Sequence, residues 1–288
     1  MPLHFSGEGP LLLDAVARTH DNRCMDEQKP IVILGGGNMG GALAVRWHTA
    51  RLAPVHVVEK DPERRAALAE FGIIPHATLA EAPREALALV LAIKPQQFAA
   101  MVDELTAYAS AHMLLISILA GTRIAALQQI SERAVRVMPN LPAQIGESMS
   151  VGYAPATLDA QDRARAELWF ETVGQFAWVE QEELLHSVTA ISGSGPAYVF
   201  AFMEALEAAA ITQGLDAEIA RQLVRQTVRG AALLADGSQE DVATLRRNVT
   251  SPGGTTEAAL KIFEQGQLAD LIKRASAAAA KRSGELSP

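Results

Sequence analysis

The chain has 288 residues, of which 49% are hydrophobic and only 5% aromatic, and it carries a formal net charge of −8. That length allows one large or two modest domains, and the acidic balance without a Lys/Arg block argues against nucleic acid or a membrane surface as partner. The single cysteine, Cys24, excludes an internal disulfide framework and favours a reducing, cytoplasmic location.

Residues 1–29 are predicted to form a loosely attached N-terminal extension. The short apolar patch Leu11-Leu12-Leu13 is interrupted by Asp14, and no basic segment precedes it. A signal peptide is therefore not expected, and the folded core is predicted to begin near Pro30.

From Ile31 onward, short apolar runs alternate with amphipathic segments. The predicted strands are 31–34, 55–58, 87–93, 113–119 and 135–138, with two more near 149–153 and 176–179. The predicted helices between them are 41–52, a helix capped by Asp61 that runs to Phe71, 96–108, 122–130 and a helix around 160–172. This alternation is typical of an α/β fold with a doubly wound, mainly parallel sheet.

After Glu180 the strand signals stop and only helices are predicted. They cover 182–190, 196–213, 217–236, 241–247, 255–265 and 268–281. Their surfaces are rich in alanine, leucine and valine, which suggests that one face packs against another subunit. We therefore divide the chain into an extension (1–29), a sheet domain (30–181) and an all-helical dimerisation domain (182–288).

A glycine-rich turn, Gly35-Gly36-Gly37-Asn38-Met39-Gly40, directly follows the first predicted strand and opens the first helix. In that context the G-x-G-x-x-G spacing indicates a Rossmann-type dinucleotide site. Gly35 would make the tight turn, Gly37 would let a pyrophosphate approach the backbone, and Gly40 would let the helix pack on the strand. Asn38 and Met39 lie between them at the helix start and complete the predicted cofactor loop.

Two residues at the end of the second strand indicate opposite cofactors. An acid at the position of Glu59 binds the ribose 2′-hydroxyl of NAD, whereas Lys60 beside it could meet the 2′-phosphate of NADP. Lys60 could equally be an ordinary solvated lysine. From these residues alone, NAD and NADP both stay open.

Further candidates lie where the third and fifth predicted strands end. Ile93-Lys94-Pro95 and Asn140 fall at the carboxyl edge of the predicted sheet, where ligands of open α/β sheets bind. They could orient the nicotinamide ribose and carboxamide. A Lys-Pro step could also simply terminate a strand, and both interpretations stay open.

The chain offers little acid–base chemistry for the reaction itself. No lysine lies between Tyr198 and Thr212, where hydroxy-acid reductases of this architecture place a proton donor, and no His, Cys, Asp or Glu cluster has metal spacing. Hydride transfer with so little help suits a substrate that is already activated, such as a protonated imine. Such a substrate needs orientation and a receptor for any carboxylate.

A second loop provides such a receptor. It reads Ser251-Pro252-Gly253-Gly254-Thr255-Thr256 and precedes a predicted helix. Its glycines bend the backbone, and N–H groups at a helix start bind small anions. Taken alone, the same pattern also fits a plain capped helix.

Together these motifs resemble the pyrroline-5-carboxylate reductase family. The residues that carry the resemblance, between about Ile31 and Leu286, are Gly35–Gly40, Ile93–Pro95, Arg136–Asn140, Ser192–Tyr198 and Val249–Thr256. The resemblance implies NAD(P)H-dependent reduction of 1-pyrroline-5-carboxylate to L-proline, the last step of proline biosynthesis, without a metal.

The resemblance also implies roles for individual residues. Ser251, Thr255 and Thr256, with Pro252, Gly253 and Gly254, would bind the substrate carboxylate, and the catalytic Thr256 hydroxyl would approach the ring nitrogen. Pro196 would line the pocket near the nicotinamide. In the family the helical domain swaps into a homodimer, which often assembles further into a decamer.

Three departures from the family pattern qualify these expectations. Leu141 replaces a usual threonine, Ser148 stands where glycine is common, and Glu59-Lys60 replaces a hydroxyl or amide followed by arginine. The resemblance favours NADP(H) by a small margin, and Glu59 keeps NAD(H) open. The alternatives to this function are an imine or keto-acid reductase for another small carboxylate, and a catalytically silent nucleotide-binding protein, against which the intact Ser251–Thr256 loop argues.

Overall fold

The computed structural model describes residues 29–287, which form two compact units. The first unit runs to Gly193 and includes the chain again from Ala279, and the second is Ser194–Ala278. The first unit contains eight strands among the described residues: β1 (Ile31–Leu34), β2 (Val55–Val58), β3 (Ile74–His76), β4 (Ala88–Leu91), β5 (Leu114–Ser117), β6 (Ala134–Met138), β7 (Ser148–Tyr153) and β8 (Gly174–Trp178).

Helices fill most of the remaining described chain. They are α1 (Asn38–Thr49), α2 (Pro62–Glu70), α3 (Pro95–Tyr108), α4 (Ile124–Leu127), α5 (Ala160–Glu171), α6 (Leu184–Val188), α7 (Gly195–Thr212), α8 (Ala217–Asp236), α9 (Val242–Asn248), α10 (Thr255–Gln265) and α11 (Leu268–Glu285). A π-helical turn, Thr189–Gly193, follows α6.

The eight strands form one sheet in the order β3-β2-β1-β4-β5-β6-β7-β8. Every neighbouring pair is parallel except β6 and β7, which run antiparallel with Val137 opposite Gly152. The strand order reverses direction between β1 and β4, so the carboxyl ends of these two strands border the crevice where such sheets bind ligands. The predicted doubly wound, mainly parallel sheet is confirmed.

Both faces of the sheet are covered by apolar side chains. Along β1, Ile31 and Ile33 belong to one hydrophobic core and Val32 and Leu34 to the other. The first core contains Trp47 from α1, whose Nε1 donates to the backbone oxygen of Trp169 at 2.8 Å. A strand buried on both faces reads as a continuous apolar run, which is why β1, β4 and β5 could be recognised from the sequence.

The predicted element bounds differ from the structure at several places. β3 was not predicted, because Ile74-Pro75-His76 is too short and polar to show strand periodicity. Helix α1 begins at Asn38, three residues before its predicted start, because Gly40 and Gly41 are helical despite their low propensity. Helix α4 is shorter than predicted and α11 continues beyond its predicted end.

The C-terminal part of α11 packs within the first unit. His186 Nδ1 lies 3.0 Å from the Ser283 hydroxyl, and a Cβ on Gly121 would lie 2.5 Å from the Leu286 oxygen. The predicted domain division after residue 181 stays a prediction. The two compact units divide after Gly193, and the chain returns to the first unit at Ala279. The predicted N-terminal extension lies, except for Lys29, outside the described residues.

The second unit has little core of its own. Ala220 and Val224 of α8 are its only fully buried apolar residues among those described. Large apolar side chains are instead exposed on α7 and α8, including Phe200, Phe202 and Leu223. An apolar surface of this extent marks an interaction face.

Candidate active site

The glycine-rich loop joins β1 to α1 in a turn that few residues other than glycine could make. Gly35 has a φ of +106°, and a Cβ there would lie 2.6 Å from the Ala92 oxygen at the end of β4. A Cβ on Gly40 would overlap the carbonyl oxygen of Gly35. The first turn of α1 thus packs directly against the loop and the end of β4, as the predicted roles of Gly35 and Gly40 require.

Gly37 differs from these two glycines because it faces open space. It is the N-cap of α1 without a side-chain cap, and the nearest atom to an added Cβ is Arg64 Nη1, at 4.0 Å. The first N–H groups of a helix have no intrahelical partner, so Asn38 and Met39 present donors here. Free backbone N–H groups at a helix start are the donors that a pyrophosphate binds. Gly37 itself is half-buried in the described chain.

Glu59 faces the same loop from the end of β2. Its Oε2 accepts the Gly36 N–H at 2.9 Å, its Oε1 accepts the Asp61 N–H at 3.0 Å, and Arg64 Nη1 lies 3.9 Å away. The carboxylate is therefore engaged by two backbone donors and one guanidinium. Lys60 beside it is exposed to solvent.

The Ile93–Pro95 segment follows β4 at the same edge of the sheet. Lys94 is the N-cap of α3, and its N–H donates to the Gln97 side chain at 3.1 Å, while Pro95 is the first residue of the helix. The Lys-Pro step therefore begins a helix. Lys94 is exposed, and the backbone of Ala92 and Ile93, just before it in the chain, packs against Gly35.

Asn140 is more strongly committed to the protein than the sequence suggested. Its Nδ2 donates to the Ser192 oxygen at 3.0 Å, and its Oδ1 accepts from Met149 N at 3.0 Å and from the Ser148 hydroxyl at 3.1 Å. The side chain thus joins the ends of β6 and β7 to the turn before α7. Its predicted contact with the cofactor stays a prediction.

The Ser251–Thr256 loop lies in the second unit, between α9 and α10. Gly254 is the N-cap of α10, and no side chain caps the helix. Gly254 N donates to the Ser251 oxygen at 3.0 Å, while Gly253 N donates to Glu257 Oε2 at 2.6 Å. Within the described chain Thr255 and Thr256 have no hydrogen-bond partner for their N–H groups. Pro196, the other predicted substrate residue, lies in the first turn of α7.

Two residues of these sites were missed in the sequence. Arg64 lies beside both Gly37 and Glu59, and its position in the first turn of α2, directly after the strand end, could have identified it. Glu257 lies three residues after the N-cap, where the sequence pattern of a capping box predicts an acid whose side chain accepts a preceding backbone N–H.

No group of three or more His, Cys, Asp or Glu residues within 29–287 is placed to hold a metal ion. No helix in that range is long and apolar enough to span a bilayer.

A doubly wound sheet with this loop at its first strand and an acid at its second defines a dinucleotide-dependent oxidoreductase. Two family models match the chain: NADP oxidoreductase, coenzyme F420-dependent, over residues 30–121, and pyrroline-5-carboxylate reductase dimerisation over residues 182–286. A pyrroline-5-carboxylate reductase from Vibrio alginolyticus is 40% identical over 267 residues, which cover 90% of this chain and 98% of the relative. The chain belongs to the pyrroline-5-carboxylate reductase family.

Solved structures agree with this assignment. A pyrroline-5-carboxylate reductase from Coxiella burnetii has a TM-score of 0.83 and 34% identity, covering 91% of this chain and 99% of its own. The Plasmodium falciparum pyrroline carboxylate reductase, solved with NADP bound, has a TM-score of 0.81 and 28% identity, with coverages of 91% and 99%. The predicted family, fold and oxidoreductase class are confirmed. The match of residues 182–286 to the family model for pyrroline-5-carboxylate reductase dimerisation shows that the helical part serves oligomerisation.

Proposed function

We propose that this protein reduces the C=N bond of 1-pyrroline-5-carboxylate to give L-proline. The observation that carries the proposal is the Ser251–Thr256 loop at the start of α10, in a chain that matches its relatives along nearly their whole length. A cyclic imine carboxylate fits a site that offers backbone donors and hydroxyls in place of an acid–base pair.

The substrate carboxylate would bind at the N-terminus of α10. The N–H groups of Thr255 and Thr256 are uncommitted there, and the positive end of the helix dipole favours an anion. The Thr256 hydroxyl would hydrogen-bond the ring nitrogen and orient the imine. Ser251, with the Pro252-Gly253-Gly254 turn, shapes the loop, and Pro196 would line the pocket.

When bound, the reduced nicotinamide supplies the hydride for the carbon of the imine C=N bond. The Gly35–Gly40 loop would hold the pyrophosphate, with Gly37 leaving room for it and the α1 N–H groups as donors. Ile93, Lys94 and Pro95 would line the nicotinamide end. One N–H of Asn140 Nδ2 bonds the Ser192 oxygen, and the second N–H would be donated to the nicotinamide end of the cofactor.

We further propose NADPH as the preferred donor, with NADH as a usable second cofactor. Two observations support this preference. The Glu59 carboxylate is occupied by the N–H groups of Gly36 and Asp61, and Lys60 and Arg64 place positive charge at the end of β2. The 2′-phosphate of NADPH would lie near the Lys60 and Arg64 side chains. The Glu59 carboxylate, whose charge is partly compensated by its donors, would repel the phosphate less than a free carboxylate would.

The helical part would form a homodimer, and dimers would assemble into a decamer. The exposed apolar faces of α7 and α8 support a large self-association surface. The molar mass in solution would decide between the two assemblies. A cytoplasmic location is proposed on the single cysteine of the chain.

The test is turnover on a panel of imines and ketones with both cofactors. We expect oxidation of NAD(P)H with 1-pyrroline-5-carboxylate, and a lower kcat/KM for the six-membered piperideine carboxylate and for open keto acids. Thr256→Ala should lower kcat/KM by about 10²-fold, because it removes the group that orients the imine. No turnover of the five-membered imine with either cofactor would refute the proposal. Binding of cofactor without turnover of any panel member would identify a silent nucleotide-binding protein instead.

A further inference from the structure

The conformation of the Ser251–Thr256 loop depends on a few local hydrogen bonds. Gly253 has a φ of +72°, and no atom outside its chain neighbours lies within 4 Å of an added Cβ, so packing around Gly253 does not hold the turn in place. Ser251, Pro252 and Gly253 are all exposed in the described chain. The hydrogen bonds within the loop therefore contribute directly to its shape.

One of these bonds is made by Glu257, a residue that the proposed function does not use. Glu257 is the third residue of α10, and in a capping box an acid there accepts the N–H of the N-cap residue. Here the N-cap N–H, that of Gly254, already donates to the Ser251 oxygen at 3.0 Å. Glu257 Oε2 instead accepts the N–H of Gly253, one residue earlier, at 2.6 Å. The usual capping bond is shifted by one residue.

This shift determines which donors remain for a ligand. Of the four N–H groups from Gly253 to Thr256, the first two are satisfied inside the loop. No side chain caps the helix, and the next two N–H groups, those of Thr255 and Thr256, have no hydrogen-bond partner in the described chain. These are the donors that we assign to the substrate carboxylate.

The negative charge of Glu257 is compensated nearby. Its Oε1 lies 3.2 Å from Lys261 Nζ, one turn further along α10. The carboxylate therefore holds the loop without presenting a full uncompensated charge to an incoming anion.

We propose that Glu257 is a positioning residue for the substrate carboxylate: it holds the Gly253 N–H and so keeps the Thr255 and Thr256 N–H groups aimed at the ligand. The proposal rests on the proposed function of the loop. Glu257 itself does not touch the substrate. Its removal should therefore weaken binding of the substrate far more than it slows the chemical step.

The first test is kinetic and uses the full-length protein with saturating cofactor. Glu257→Ala should raise KM for 1-pyrroline-5-carboxylate about tenfold and change kcat by less than about threefold, because one charge-assisted hydrogen bond is lost. Glu257→Gln keeps an acceptor oxygen and should stay within about threefold of the wild-type KM. Glu264→Ala is the matched control, since it removes a carboxylate from the same exposed helix.

The second test measures the loop directly. Hydrogen–deuterium exchange of the peptide containing Gly253 should be faster in Glu257→Ala than in the wild type, and Glu264→Ala should leave it unchanged. The calorimetric Kd for L-proline, measured with oxidised cofactor present, should rise in parallel with KM. These two measurements do not depend on turnover.

Three outcomes would overturn the proposal. An unchanged KM in Glu257→Ala would mean that the bond serves only the helix. A lower KM would mean that the Glu257 carboxylate competes with the substrate for the loop, and an equal rise in Glu264→Ala would reduce the effect to net charge. A wild-type protein inactive on the imine would refute the proposed function, whereas an active wild type with an unaffected Glu257→Ala would refute this inference alone.

Discussion

The Glu59 carboxylate accepts the backbone N–H of Gly36 at 2.9 Å, which ties the end of β2 to the loop that follows β1. An acid at this position is ordinarily interpreted as a partner of the cofactor ribose. Here it is also part of the loop's own support. Its second oxygen is occupied by the Asp61 N–H.

This arrangement leads to a prediction about cofactor preference. Glu59→Ser removes a negative charge from the end of β2 and should lower the ratio of Kd for NADPH to Kd for NADH by about tenfold. Both cofactors should also bind more weakly, because Gly36 loses its acceptor. Lys60→Ala should weaken NADPH binding alone. Calorimetry gives the dissociation constants of both cofactors for the wild type, Glu59→Ser and Lys60→Ala.

Glu63→Ser is the control for the Glu59 variant. Glu63 is an exposed acid in the first turn of α2. Glu63→Ser therefore changes the net charge as much as Glu59→Ser does, but at a residue that does not contact the loop. If it shifts the cofactor ratio as much as Glu59→Ser does, long-range charge explains the preference and the position of Glu59 does not.

Two glycines of the same loop should respond differently to a single added methyl group. At Gly40 a Cβ would overlap the Gly35 oxygen, so Gly40→Ala should cost more than about 2 kcal/mol of stability. At Gly37 the nearest atom is 4.0 Å away and φ is −67°, so Gly37→Ala should leave the melting temperature within about 2 °C. It should nevertheless raise the Kd of the cofactor at least tenfold, because the methyl group takes the space of the pyrophosphate.

Calorimetric melting and cofactor titration of both variants check this contrast. A stable Gly37→Ala protein with wild-type affinity for cofactor would contradict the assignment of the loop. A Gly40→Ala protein as stable as the wild type would contradict the packing of α1 against Gly35.

The fold and the two loops could be predicted because their signals are local. The apolar run of β1, the N-cap at Asp61 and the glycine spacing after Leu34 each depend on neighbouring residues, and the structure confirms them as elements. The support of the site could not be predicted in this way. Asn140 contacts Ser192, 52 residues away, and nothing in the local sequence distinguishes that bond from a contact with cofactor.

The return of the chain to the first unit was missed for the same reason. Ser283 meets His186 across 97 residues, while the helical pattern of α11 only predicts that one face is apolar. The position of Glu257 was visible as the third residue of a helix. Its bond to Gly253 could not be predicted, because the choice of donor depends on the Gly254 N–H being taken by Ser251.

A buried ion pair near the end of the sheet gives a stability prediction. Glu182 Oε1 accepts from the Arg136 guanidinium in β6 and from Ile124 N at 2.6 Å. The Arg136 side chain is 4% exposed and the Glu182 side chain 12%. Glu182→Leu leaves the Arg136 charge buried and unpaired, which should cost about 3–5 kcal/mol. Adding Arg136→Met should restore a large part of that loss.

The neighbouring pair provides the matched control. Arg123 and Glu183 lie 3.4 Å apart with side chains 43% and 65% exposed, so Glu183→Leu should cost less than about 1 kcal/mol. Denaturant unfolding at one fixed protein concentration compares these three variants with the wild type, because the chain associates. Equal losses for Glu182→Leu and Glu183→Leu would show that burial of the first pair does not matter.

The stacked histidines at the edge of the sheet predict how stability depends on pH. His56 in β2 and His76 in β3 have parallel rings with centroids 5.1 Å apart, and His56 Nδ1 lies 2.8 Å from His76 Nε2. Burial, and then the proximity of His76, hold the pKa of His56 below its ordinary value of 6.5. The unfolded chain therefore takes up this proton first as the pH falls.

Because the unfolded state then binds more protons, the free energy of unfolding should fall as the pH drops below 6.5 towards the lower pKa of folded His56. Above pH 6.5 the contribution of His56 to the free energy of unfolding is present in full. His56→Val should flatten this part of the stability curve, and His76→Val should flatten it less, since the burial of His56 remains. Unfolding curves at pH 5 to 8 test both variants. A His56→Val protein with the slope of the wild type would show that other groups carry the pH dependence.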